Sequence, residues 1–222
     1  MSNHKIKIIA CASVIEEMLP FLPEDYKYEE VESGLHLNSE KLKNAIQCLI
    51  DDSAGEFEKI ILGFGLCSMA AVGLSSKDCT LIAPRVDDCI GLFLGSQESY
   101  KEQLEKEHGT YFLSKGWIDA GATLVDEFKQ TEERMGKEAA DIVREKMLKG
   151  YKRLAFIDMG HENQEGYRSF SKDAADELGL YYDEIQGTTS LLKKMIFGPW
   201  DDKDFIVAAP GRKITLMDFK AA

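Results

Sequence analysis

The chain has 222 residues, 44% of them hydrophobic and 30% charged, with a formal net charge of −12. This balance describes a folded globular chain of one large domain or two lobes, not a disordered segment. An acidic surface of this size repels phosphate backbones and anionic lipids, and no apolar run approaches the roughly 20 residues needed to cross a bilayer, which argues against nucleic-acid and membrane partners.

The N-terminal MSNHKIKIIACAS lacks the apolar stretch of about 7–15 residues found in secretion signals, so a cytoplasmic protein is expected. Five cysteines, an odd number, fit that setting poorly as a disulfide framework. They read instead as buried small hydrophobes, metal ligands or reactive thiols.

Residues 6–10 form a first apolar run that ends at Cys11. Ser13 is a candidate helix N-cap, with Glu16 at capping-box spacing, for a short helix over 14–19 that stops near Pro20. Residues 26–32 alternate as an edge strand. Asn38 or Ser39 caps a helix over 40–52, with Leu42, Ile46, Leu49 and Ile50 on one face and Cys48 within it. Residues 59–67, KIILGFGLC, read as a buried strand breaking into a glycine turn that presents Cys67. A helix is expected over 68–74. The next strand, 81–83, runs through Pro84 toward Asp87, Asp88 and Cys89.

Further on, 99–107 reads as a solvated helix, and 109–113 with Gly116-Trp117 as a short aromatic strand or loop. Residues 121–149 form one long helical stretch with an apolar stripe of Leu124, Phe128, Met135, Ala139 and Ile142, and Gly136 as a bend or break. Such a helix serves as a lobe connector or a homodimer seam, and packing on its own sheet is the plainest alternative. A strand at 153–157 then leads to Asp158 and His161. A helix over 170–178, a strand over 181–185, a helix over 190–197 stopped by Gly198-Pro199, and strands over 205–209 and 214–219 complete the chain.

Alternating strands and helices predict an α/β fold with mostly parallel sheets. LIAP at 81–84 resembles VAAP at 207–210, and KIILGFGLC resembles RLAFIDMGH, with His161 opposite Cys67. This weak repeat predicts two Rossmann-like lobes of βα units with a cleft between them. The first lobe would span 1–120, a connecting helix 121–150, and the second lobe 151–222.

Cys11, Cys67 and Cys89 each follow a predicted strand. If those strands are parallel neighbours, the three thiols share the sheet edge where open α/β proteins bind ligands. Cys79 precedes its strand and falls at the opposite edge. Three thiolates suit an iron–sulfur cluster or, alternatively, zinc, and leave a position open for a small-molecule substrate. Packed core thiols, or a lone nucleophile at Cys67, are the competing readings. Gly63, Gly65 and Ser68 are the candidate cofactor-binding positions. The segment lacks a third glycine and a P-loop Lys-Ser, so a tight turn that lets backbone approach a ligand is the preferred reading. Asp88 and His161 are the candidate acid/base groups, against turn formation and solvation as the plainer alternatives. Trp117 and Trp200 could line a pocket or pack in a core, and His4, His36 and His108 have no evident partner.

The strand ending at Cys11, GFGLCS at 63–68, APRVDDCIGLFLGS at 83–96, GTYFLSKGW at 109–117 and PG at 210–211 together resemble the prokaryotic family known as domain of unknown function 1638. The resemblance implies a setting in anaerobic one-carbon metabolism, linked to corrinoid-dependent methyl transfer and to corrinoid proteins as partners. It supplies no reaction. Two function classes follow: a metalloprotein acting on a small substrate in that setting, and a non-enzymatic binding module for a corrinoid or methylated compound whose cysteines merely pack.

Overall fold

The protein is described here by a computed structural model covering residues 5–32, 35 and 38–220. In chain order the elements are β1 (Ile6–Cys11), α1 (Ala12–Met18), β2 (Lys27–Val31), α2 (Ser39–Asp51), β3 (Lys59–Gly63), β4 (Thr80–Pro84), α3 (Cys89–Phe93), α4 (Gln97–Lys106), β5 (Thr110–Ser114), α5 (Lys115–Asp119), α6 (Leu124–Met135), α7 (Lys137–Leu148), β6 (Arg153–Asp158), α8 (Gln164–Leu178), β7 (Tyr181–Gln186), α9 (Ser190–Phe197), β8 (Phe205–Ala208) and α10 (Leu216–Lys220). They fall into two units, Met1–Ser99 with Thr188–Ala222, and Tyr100–Gly187. Among the described residues no helix is long and apolar enough to cross a membrane.

The first unit is built on a five-stranded sheet ordered β2-β1-β3-β4-β8. Its first four strands are parallel, and β8 closes the edge antiparallel to β4. Every residue of β1 is buried, as expected for an inner parallel strand covered on both faces. Strand β2 sits at the other edge and leaves most of its residues exposed or half-exposed, as its alternation predicts. Helix α2 turns Leu42, Ile46 and Ile50 inward at i, i+4, i+8 spacing. Asn38 starts α2 by accepting a 3.0 Å hydrogen bond from the Lys41 amide. Asn38→Ala is expected to lower the unfolding free energy by about 1 kcal/mol in urea denaturation.

The second unit carries a parallel three-stranded sheet ordered β5-β6-β7. Its core is Leu113, Val125, Phe128, Leu154, Ala174, Ala175, Leu178 and Leu180. Thr123 and Asp126 form a reciprocal capping box at the start of α6.

Several expectations change. Ser13 lies inside α1, whose N-cap is Cys11. Residues 68–73 form turns rather than a helix, because residues 67–69 take left-handed backbone. The stretch 121–149 is two helices broken at Gly136, whose φ is +81°. The break shifts the apolar stripe, so Val125, Phe128, Thr131 and Ala140 are buried while Met135 and Ile142 are exposed. The final apolar segment is α10, not a strand. Strands β4 and β8 are paired neighbours, Leu81 against Ala208, so LIAP and VAAP are adjacent rungs of one sheet and not equivalents in two lobes. Because β8 returns to the first sheet, and α6 and α7 lie in the second unit, the unit limits differ from 1–120, 121–150 and 151–222.

Candidate thiol site

In the first sheet the chain steps from β1 outward to β2, then back across β1 to β3 and on to β4. The order therefore reverses between β1 and β3, and the carboxyl ends of strands at such a reversal open a crevice. Cys11 is the last residue of β1, Cys67 follows β3 by four residues, and Cys89 opens the short helix after β4. All three are buried.

Two glycines set the geometry. A Cβ on Gly63 would lie 2.3 Å from Ala10 Cβ, so glycine lets β3 lie against β1 where Ala10 and Gly63 are in register. A Cβ on Gly65 would lie 2.3 Å from Val86 O and 2.9 Å from Asp88 N. Glycine here brings two backbones together, the role of a tight-approach residue. The loops after β3 and β4 are then joined by two hydrogen bonds: Leu66 N–H donates to Val86 O at 2.8 Å, and Cys67 N–H donates to Asp87 O at 2.8 Å.

Cys67, Ser68 and Met69 have φ of 43°, 53° and 76°. Left-handed backbone costs a non-glycine residue about 1–2 kcal/mol, so three in succession need support from outside the turn. The bonds to Val86 and Asp87 supply it, along with Ala70 N–H donating to Cys67 O at 3.1 Å. The turn leaves Ser68 and Met69 exposed and Cys67 buried.

The loop after β4 is fixed from its other side. Gln97 accepts from the Asp87 amide at 2.8 Å and donates to the Asp87 carboxylate at 2.7 Å. Arg85 donates through Nε to Phe205 O at 3.1 Å. Asp88 caps α3 by accepting from the Ile90 amide at 2.9 Å.

The three thiols influence one another. Burial pushes the Cys67 thiol up to about 12, helped by the Asp88 carboxylate and by Cys11. Burial also pushes Cys89 well above the ordinary thiol value, with Cys11, Asp88 and Cys67 adding to it. Cys11 is raised by burial against the opposing pull of the Ser13 hydroxyl, whose oxygen lies 3.4 Å from its sulfur. All three pairings thus couple electrostatically, and Asp88 acts on two of them. Without a cation these groups are neutral thiols. Among the described residues, no group of three or more His, Cys, Asp or Glu side chains is set up to hold a metal ion.

The remaining candidates separate. Cys48 is exposed, and Cys79 lies before β4 with its sulfur on Phe57 O at 3.0 Å. Asp158 and His161 belong to the second unit. There Asp158 is buried, accepts from the Gly160 amide at 2.8 Å, and pairs with Arg168. Trp117 packs against the second core, and Trp200 donates to Met195 O at 2.8 Å. His108 is exposed, and His4 and His36 lie outside the described residues. Sequence reasoning missed the contact of Ser13 with Cys11 and the stitching of Val86 and Asp87 to the Cys67 turn. The neighbouring Gly63, Gly65 and Asp87 were the only signals.

The fold defines a class: a Rossmann-like α/β protein with mostly parallel sheets, whose first sheet places three cysteines at or just beyond the ends of β1, β3 and β4. The family described as "Protein of unknown function (DUF1638)" matches residues 31–196, and the chain belongs to it. No curated protein and no solved structure matches the chain.

Proposed function

We propose that Cys11, Cys67 and Cys89 bind an iron–sulfur cluster, or alternatively zinc, in a cytoplasmic protein of anaerobic, corrinoid-linked methyl metabolism. The observation that carries this reading is the placement of three buried cysteines at or just beyond the carboxyl ends of β1, β3 and β4, around the switch point. Soft thiolates favour these metals over hard cations. Three sulfur ligands leave a position for a small substrate, such as a thiol or a methylated compound, and Asp88, one residue before Cys89, is the proposed acid beside it. Gly63 and Gly65 serve by letting backbone approach closely. Ser68, exposed beside Cys67, is the proposed polar contact for the bound group. The metabolic setting, and corrinoid proteins as partners, rest on the family resemblance alone. An acid/base role for His161, a residue of the second unit, and homodimerisation are likewise proposals.

Loading converts neutral thiols to thiolates, so about three protons leave with each cluster or ion bound. Cys11→Ser, Cys67→Ser and Cys89→Ser are each expected to lower bound metal at least tenfold in anaerobically purified protein. Cys48→Ser and Cys79→Ser are expected to retain it. Equal loss across all five would refute the switch-point assignment.

A second reading follows from the absence of a metal-ready group among the described residues. In it the crevice binds a corrinoid or methylated compound without metal, and the cysteines only pack. The same serine variants would then lose stability while ligand affinity stayed within about twofold of wild type, read by thermal shift.

A further inference from the structure

Helix α7 turns one face to solvent that its own unit leaves uncovered. Ala140 is buried, and Val143, Met147 and Leu148 pack against the second core. On the outward side Ile142 is 50% exposed. The large apolar residues just beyond the two ends of the helix, Met135 and Tyr151, are 62% and 39% exposed. A hollow of about 590 Å³ lies against α7, lined by Ile142, Glu145, Lys146, Leu148 and Lys149. Four of these, Ile142, Glu145, Lys146 and Lys149, stand at i, i+3, i+4 and i+7. Residues so spaced frame the hole into which a facing helix sets one side chain.

The charges on α7 say what kind of helix faces it. The exposed charged residues of 137–149 are Lys137, Lys146 and Lys149 against Glu138, Asp141 and Glu145, so the signs balance in a chain of net charge −12. Two copies of so acidic a chain repel over most of their surface, and a neutral stretch is where they meet at least cost. The charges are also ordered along the helix. Glu138 and Asp141 precede Ile142, while Lys146 and Lys149 follow it. That order suits an antiparallel partner of the same sequence.

We propose that α7 is the seam of a homodimer, paired antiparallel with α7 of a second copy across a two-fold axis. The inference deepens the homodimer reading stated above and rests on it. Each copy's Ile142 sets into the hole framed by Ile142, Glu145, Lys146 and Lys149 of the other. The centre of that hole lies between positions 145 and 146, which puts the axis beside positions 143 and 144. Position 149 then faces position 138 of the second copy, so Lys149 meets Glu138 in two symmetric ion pairs. The same register brings Met135 of one copy and Tyr151 of the other to one end of the seam. Near the axis, Glu145 has Lys149 four residues on along its own helix, which balances its charge. The 12 residues of α7 span about 18 Å. A seam of that length falls below the area of a permanent dimer, so the association is reversible and depends on concentration.

The test is sedimentation velocity on the full-length protein at low salt. The wild type is expected to run as a dimer at about 200 µM and to dissociate on dilution to about 5 µM. Ile142→Glu, which puts a charge in the hole, is expected to raise the dimer dissociation constant by at least about tenfold. Lys149→Glu, which turns two attractions into two repulsions, is expected to raise it by about tenfold. Glu138→Lys combined with Lys149→Glu is expected to return it to within about threefold of wild type, because each pair is rebuilt with its signs exchanged. Lys101→Glu, exposed on α4, changes the net charge as Lys149→Glu does and is expected to move the constant by less than about twofold. A wild type that stays monomeric at the higher concentration would overturn both the seam and the homodimer. A dimer that survives Ile142→Glu or Lys149→Glu, that weakens equally with Lys101→Glu, or that the double exchange fails to restore would overturn the seam and leave the homodimer standing.

Discussion

Gly65→Ala is expected to destabilise the protein by at least about 3 kcal/mol and to release the loop that carries Cys67. The added methyl would sit 2.3 Å from Val86 O and 2.9 Å from Asp88 N, both backbone atoms that no rotamer change can move. The two loops must therefore part. Parting them breaks the Leu66–Val86 and Cys67–Asp87 hydrogen bonds, each 2.8 Å long. Those bonds also hold the left-handed turn at Cys67, Ser68 and Met69, so that turn would relax as well. Gly160→Ala is the control. There nothing lies within 4 Å of the added Cβ, and only the left-handed backbone, with φ of +81°, resists the change, so a cost of about 1–2 kcal/mol is expected. A Gly65→Ala protein melting within about 2 °C of wild type would contradict the close approach of the two loops.

Arg153→Ala is expected to cost about 2–4 kcal/mol, confined to the second unit. Arg153 opens the central strand β6 and is only 2% exposed. Its Nε donates to Thr110 Oγ1 at 2.9 Å, its Nη2 to Gln103 O at 2.8 Å, and its Nη1 to Asp183 at 3.1 Å. One guanidinium thereby ties β6 to β5, β7 and α4. Its removal leaves a cavity and takes the donor from a backbone carbonyl. The Asp183 side chain is 46% exposed and recovers water, which keeps the cost below that of a fully buried broken pair. Hydrogen exchange is expected to quicken in β5, β6 and β7 while β1, β3 and β4 keep their protection. Uniform quickening across both sheets would contradict the separate cores.

Much of this fold could be read locally. Short apolar runs ending in Gly or Pro located β3 and β4, and Gly198-Pro199 ended α9 at the expected residue. Asn38 acts as the cap its position suggested. The failures share a cause, which is information carried by distant residues. No local rule places Cys67, Ser68 and Met69 in left-handed backbone, because the bonds that stabilise it come from Val86 and Asp87. The pairing of β8 with β4 depends on residues over 100 positions apart. Residues 214–219 fit either period, and only 216–219 of them enter a helix, itself five residues long. The stripe across 121–149 failed because Gly136 resets the helix phase. For the site, parallel strand order was enough to bring Cys11, Cys67 and Cys89 to one edge and to send Cys79 to the other. The Ser13 contact with Cys11 was hidden by its resemblance to a cap.

The most direct test of the thiol-site proposal is anaerobic purification followed by iron, zinc and acid-labile sulfide analysis with a visible spectrum. Stoichiometric iron and sulfide, with broad absorption near about 400 nm that is lost in Cys67→Ser, is the predicted result. Zinc without sulfide, lost in the same variant, would keep the site and select the alternative metal. A colourless protein that stays metal-free after anaerobic reconstitution with iron, sulfide and zinc would contradict it.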